Sequence, residues 1–142
     1  MNKKDLFQKF VAFTTSVHQV THELTKDAKS DTVTPVQYSI LEHIYIHQPV
    51  TISEISDCQH MSMPNTSREL KKLLEKKLIE KGEDTKDRRK QLIRLSKGGE
   101  TMMNHVFMHI EARFLQRIQD ASQEELAEID RALDLLHTKV FF

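Results

Sequence analysis

From Leu6 to Leu24 the apolar side chains Leu6, Phe7, Phe10, Phe13, Val17, Val20 and Leu24 return at steps of three and four, the period of one helix face. This predicts a long first helix, ending in the polar stretch from Lys26 to Asp31. Thr34-Pro35-Val36-Gln37 then offers a cap, a first-turn proline and the partner that completes a capping box. A second helix is expected to run to about Gln48, with Ile40, Leu41, Ile44 and Tyr45 on its buried side, and Pro49 stops it. Thr51-Ile52-Ser53-Glu54 is another capping box and opens a short helix through Ile55 toward Cys58. Ser62-Met63-Pro64-Asn65 starts a further helix carrying Leu70, Leu73 and Leu74. Two helices this short, joined by a tight connection and running on into basic sequence, read as a helix-turn-helix.

After Leu78-Ile79 the pattern changes. Glu80 to Lys90 is almost wholly charged, with Gly82 read as a turn residue, and Gln91-Leu92-Ile93-Arg94-Leu95 alternates with period two. A hairpin with a charged tip is predicted. Ser96 can cap a long helix with Met102, Met103, Val106, Phe107, Ile110, Phe114 and Ile118 on one side. Ser122-Gln123-Glu124-Glu125 is a capping box for a last helix bearing Leu126, Ile129, Leu133, Leu136 and Val140, before Phe141-Phe142.

Composition supports the helical reading. With 142 residues and only three Gly and three Pro, there is little room for a many-turned sandwich or a Gly-rich nucleotide loop. The single cysteine, Cys58, excludes an internal disulfide framework and an all-cysteine zinc site, which fits a reducing compartment. No apolar run approaches the roughly 18 residues of a membrane span, so a cytoplasmic protein with no membrane partner is expected. No hydrolase elbow, phosphate loop or paired-cysteine motif is present, and neither an enzyme nor a cofactor is expected.

Charge adds a function class. Lys and Arg total 21, as do Asp and Glu, so the formal net charge is zero, which taken alone argues against nucleic acid. Residues 68 to 97, however, hold twelve basic and six acidic residues, a surplus of +6, and the remainder carries −6. A basic helix and hairpin on an acidic helical body is the footprint of a DNA reader, although most charge runs are solvated faces.

The run Ser62-Met63-Pro64-Asn65-Thr66-Ser67-Arg68, with Leu73, Leu78-Ile79, Asp84-Thr85-Lys86-Asp87-Arg88-Arg89 and Leu95-Ser96-Lys97-Gly98-Gly99, closely resembles the MarR family of winged helix-turn-helix transcriptional regulators. The resemblance covers essentially the whole chain. It implies a mainly α fold with a small β-hairpin wing, as a single domain over 1–142. Residues 34–96 would form the DNA-binding region, and 1–30 with 97–142 the dimerisation helices. Two positions depart from the family pattern. Lys86 stands where Arg is common, and Lys77 where a glycine usually ends the recognition helix. Lysine in a left-handed cap costs roughly 1 kcal/mol, so that helix is expected to end differently or run longer.

A recognition helix enters the major groove N-terminus first, where small polar side chains approach bases and phosphates closely. Ser62, Asn65, Ser67 and Arg68 suit that role, Asn65 pairing with adenine and Arg68 with guanine or phosphate. The bland alternatives are a plain N-cap for Ser62 and a surface ion pair for Arg68. Lys71 and Lys72 are better placed for phosphates. At the hairpin tip, Arg89 resembles the family's minor-groove arginine, with Asp87 holding it and Arg88 sharing the task.

The resemblance further implies a homodimer on an inverted-repeat operator, responsive to a small-molecule effector and most simply a repressor that excludes polymerase. The helical pairs His18/His22, His43/His47 and His105/His109 have metal-ligand spacing, so His18, His22, His105 and His109 are candidate ligands for a regulator of the same fold that responds to zinc or another metal. Ordinary solvated or core histidines are the plainer reading, as a small buried residue is for Cys58. A protein-interaction module without DNA binding is the remaining alternative.

Overall fold

The computed structural model describes residues 1–28 and 31–142; Lys29 and Ser30, inside the stretch expected to end the first helix and at the 1–30 boundary, lie outside the described residues. The elements run α1 (Lys3–Thr25), α2 (Pro35–His47), α3 (Ile52–Gln59), α4 (Met63–Glu75), β1 (Ile79–Glu83), β2 (Gln91–Leu95), α5 (Lys97–Arg117) and α6 (Gln123–Lys139). Packing groups them into two compact units, residues 1–110 and 111–142.

Helix starts follow the expected local chemistry. Thr34 and Gln37, Thr51 and Glu54, and Ser122 and Glu125 each form both hydrogen bonds of a capping box. Ser62 caps α4 by accepting from the Asn65 backbone N–H at 3.2 Å.

The core of the first unit lies where α2, α3 and α4 meet the hairpin and the start of α5. Ile40, Leu41 and Ile44 of α2, Ile55 of α3, Leu70 and Leu73 of α4, Ile93 and Leu95 of β2, and Met103 and Val106 of α5 are buried in one cluster. Each such side chain contributes roughly 1.5–3 kcal/mol on burial. α4 is thus seated on its leucines with its opposite face in solvent. Tyr45 of α2 stacks on Phe107 of α5 with ring centroids 4.8 Å apart, and its hydroxyl donates to Asn104 Oδ1 at 2.8 Å. Burial, and then the charge and hydrogen bond of Glu42, hold the Tyr38 phenol well above its ordinary range.

Strands β1 and β2 pair antiparallel with Ile79 opposite Leu95 and Lys81 opposite Ile93. Val50 extends this sheet, its N–H and C=O both bonded to Ile93 at 3.0 and 2.7 Å. Gly82 is not the turn residue the sequence suggested; it lies inside β1, opposite Leu92. The turn is built instead by two aspartates. Asp84 accepts from the Lys86 backbone N–H at 2.9 Å and Asp87 from that of Arg89 at 3.0 Å, side chains mimicking a backbone turn.

The end of α4 also corrects an expectation. The helix neither runs on nor ends elsewhere: Lys77 itself adopts the left-handed conformation at φ 61°. The Leu78 N–H bonds the Leu73 carbonyl at 3.0 Å and the Lys77 N–H that of Leu74 at 2.9 Å, the paired bonds of a Schellman cap. Those bonds and the Leu73–Leu78 apolar end outweigh the steric penalty on lysine. Lys77→Gly is therefore expected to stabilise the fold by about 0.5–1 kcal/mol, after allowing for glycine's looser unfolded chain. A thermal melt checks this; a lower midpoint would show that the Lys77 side chain does more than tolerate its backbone.

Burial, aided by the neighbouring His47 and opposed by Glu54, holds the His43 imidazole below its ordinary range. The unfolded chain then takes up that proton first as pH falls through about 6.5. Stability is expected to decline there. His43→Gln should reduce the decline in melts between neutral and mildly acidic pH, and an unaltered pH profile would exclude His43 as its source.

Candidate nucleic-acid interface

The N-terminal half of α4 presents a polar, exposed surface over an apolar underside. Ser62, Asn65, Ser67, Arg68, Lys71 and Lys72 are exposed, while Thr66, Leu70 and Leu73 point into the core. Thr66 fixes this start to α3: its hydroxyl donates to the Ser62 carbonyl at 2.9 Å and accepts from the Ser56 hydroxyl at 2.9 Å. A buried hydroxyl pair of this kind sets how α4 leaves the turn.

Both plain roles considered for Ser62 and Arg68 bear on the geometry. Ser62 is the N-cap. Arg68 makes no ion pair among the described residues; its guanidinium donates instead to the Asn65 side-chain carbonyl. That bond engages one of two lone pairs on Asn65 Oδ1, leaving the other and the amide donors open. Lys72 pairs with Glu69 at 3.4 Å, so its charge is partly balanced. Lys71, Arg88 and Arg89 carry no ion pair among the described residues.

Asp87 holds Arg89 otherwise than expected. Its carboxylate engages the Arg89 backbone N–H, leaving the guanidinium unengaged by it. Arg89, with Lys90 and Gln91, lines an open crevice of about 430 Å³ against Thr51, Ile52, Ser53 and Glu54 at the start of α3. The arginine therefore stands at the base of the hairpin tip, on a loop rigidified by two aspartate turns.

Sequence reasoning missed the side of α4. Lys76, counted with the basic surface, donates to the Thr32 carbonyl and to Gln37 Oε1, both at 2.7 Å, and so ties α4 to the start of α2. Lys76 lies 39 residues from Gln37, beyond the reach of any spacing rule.

Of the candidate metal residues, His105 and His109 face each other edge-on with centroids 4.8 Å apart. They line a second crevice of about 510 Å³ with Asp27, Ala28, Thr101, Met102 and Val106. Among the described residues no group of three or more His, Cys, Asp or Glu side chains comes together as a metal site, so His18 and His22 are not drawn into one with them. Cys58 is exposed rather than buried as its plainer reading held.

Comparison with known proteins bears on this surface. The MarR family model matches residues 31–90, the segment that holds α2, α3, α4 and the hairpin through its tip. An uncharacterized HTH-type transcriptional regulator of Staphylococcus aureus is 28% identical over 108 residues, covering 71% of this chain and 70% of that protein. The fold is similar to that of Staphylococcus aureus MarR in complex with salicylate and kanamycin, at TM-score 0.69 and 24% identity, covering 93% of this chain and 90% of that one. It is also similar to a Staphylococcus aureus MepR variant bound to an oligodeoxyribonucleotide, at TM-score 0.59 and 21% identity, covering 90% and 97%. A helix-turn-helix with a two-stranded hairpin, flanked by long helices, is the shared plan, so the fold is that of the MarR winged helix-turn-helix structures, and residues 31–90 are similar to the MarR family.

Proposed function

We propose that this protein is a cytoplasmic, homodimeric repressor that reads an inverted-repeat operator. Residues 34–96 form the reading head; 1–30 and 97–142 form the dimer. The N-terminal turns of α4 enter the major groove, where Asn65 and Arg68 contact base edges. Ser62 and Ser67 allow close approach, and Lys71 and Lys72 engage phosphates. Arg89, on the loop that Asp87 orders, enters the adjacent minor groove with Arg88 beside it.

The observation that carries this reading is the separation of faces on α4: every residue assigned to DNA is exposed, while the helix is seated by Leu70 and Leu73 beneath. Dimerisation is supported by α1, which has no buried residue and exposes Leu6, Phe7, Val11, Phe13 and Val17, Phe7 by 63%. α6 similarly exposes Leu133 and Leu135, and the chain ends in exposed Phe141 and Phe142. Apolar faces of this extent mark an interface. The His105/His109 crevice is the place for a small-molecule effector. MarR of Staphylococcus aureus, similar in fold, is known in complex with salicylate. No helix among the described residues is long and apolar enough to cross a membrane.

Gel shifts over a salt series test the DNA reading. Affinity should fall linearly on logarithmic axes, by a slope of about 0.9 per phosphate contact. Lys71→Ala should weaken operator and random duplex alike and lower that slope by about one. Affinity insensitive to salt would end this reading in favour of a protein-interaction module.

A further inference from the structure

The exposed face of α4 gains its orientation from a polar clamp on its flank as well as from the core beneath. The geometry points to Gln37 and Lys76 as positioning residues, which fix the roll of α4 against the start of α2 and so the presentation of Asn65 and Arg68. This inference rests on the DNA reading above.

Gln37 is 2% exposed, an unusual place for a residue whose capping role needs no burial. Its Oε1 accepts from the Thr34 backbone N–H at 3.2 Å and from Lys76 Nζ at 2.7 Å. Its Nε2 donates to Glu69 Oε2 at 3.1 Å, and the other oxygen of Glu69 accepts from Lys72 Nζ at 3.4 Å. Lys76 Nζ also donates to the Thr32 carbonyl at 2.7 Å. One buried amide thus holds the recognition helix at Glu69 and Lys76, seven residues and about two turns apart on one flank.

Two anchors along a helix resist both rolling and sliding. Leucine packing beneath α4 is non-directional and tolerates small rotations, whereas a hydrogen bond is lost when its atoms move by more than a few tenths of an ångström from the 2.7–3.2 Å window. The clamp therefore supplies the angular precision that bidentate base contacts require. It also takes the Lys76 ammonium out of the set available to phosphates.

The experiment uses a duplex selected from a random pool by the full-length wild-type protein, with a scrambled duplex as reference. Lys76→Met should lower the ratio of selected to scrambled affinity about tenfold, with the salt slope unchanged. Lys76→Arg, which retains charge and donors, should restore the ratio. Gln37→Met keeps the buried volume and should reproduce the loss, so the inference stays testable if Lys76→Met does not melt as a folded protein. An unchanged ratio in both Met variants would overturn it. So would equal loss on both duplexes with the slope lower by about one, since Lys76 would then contact phosphate. A wild type that itself selects no sequence would overturn the DNA reading and this inference with it, whereas selection by the wild type with unchanged ratios in the variants overturns the clamp alone.

Discussion

Gly99→Ala is expected to destabilise the first unit by about 3 kcal/mol or more, while Gly98→Ala, one residue away, changes stability by less than about 1 kcal/mol. A methyl group at Gly99 would overlap the backbone carbonyl oxygen of Leu78, which has no side-chain freedom with which to yield. A methyl group at Gly98 would sit 3.5 Å from the Lys77 carbonyl oxygen, an ordinary contact. The crowded carbonyl also accepts from the Ser96 backbone N–H at 3.0 Å, and the Ser96 hydroxyl donates to the Lys77 carbonyl at 2.6 Å and accepts from the Gly99 N–H at 3.0 Å. These bonds join the end of α4, the exit of the hairpin and the first turn of α5, so relief of the overlap must break the joint. Urea unfolding of both variants gives the comparison; equal midpoints for Gly98→Ala and Gly99→Ala would show that the close approach is not a constraint.

Arg68→Ala is expected to cost about 1–3 kcal/mol of operator affinity, roughly 5- to 150-fold, with little effect on random duplex and on thermal stability. The side chain is exposed and leaves no buried partner orphaned. Its link to the Asn65 carbonyl holds the planar fork near the helix N-terminus, which lowers the entropy lost on docking. Arg68→Lys should not restore the affinity, because a point charge cannot reproduce two parallel donors. Competition gel shifts with wild type, Arg68→Ala and Arg68→Lys decide it: uniform loss on every duplex would place Arg68 on a phosphate.

Features legible in the sequence were those encoded within one helical turn. The Thr34/Gln37, Thr51/Glu54 and Ser122/Glu125 boxes each join residues three apart, and all three form. The leucines beneath α4 followed from helical period and are buried. Local conflict was harder to read. At Lys77 intrinsic preference argued against a left-handed residue, but Leu73, Leu74 and Leu78 close a cap that overrides it. Gly82 suggested a turn because glycine often makes one, whereas Asp84 and Asp87 make it with side-chain carboxylates. The clamp was invisible for a different reason. Gln37 fully explained itself as the third residue of a capping box, and its bonds to Glu69 and Lys76 depend on how α2 and α4 pack.

In the proposed complex, two copies present α4 and the Arg89 loop to a two-fold-symmetric site. Hydroxyl-radical footprinting of the wild-type protein on its selected duplex tests it most directly. Two mirror-related patches of protection are expected, with major-groove centres about 10 base pairs apart and flanking minor-groove protection that Arg89→Ala removes. A single patch without its mirror image, or protection indifferent to sequence, would contradict it.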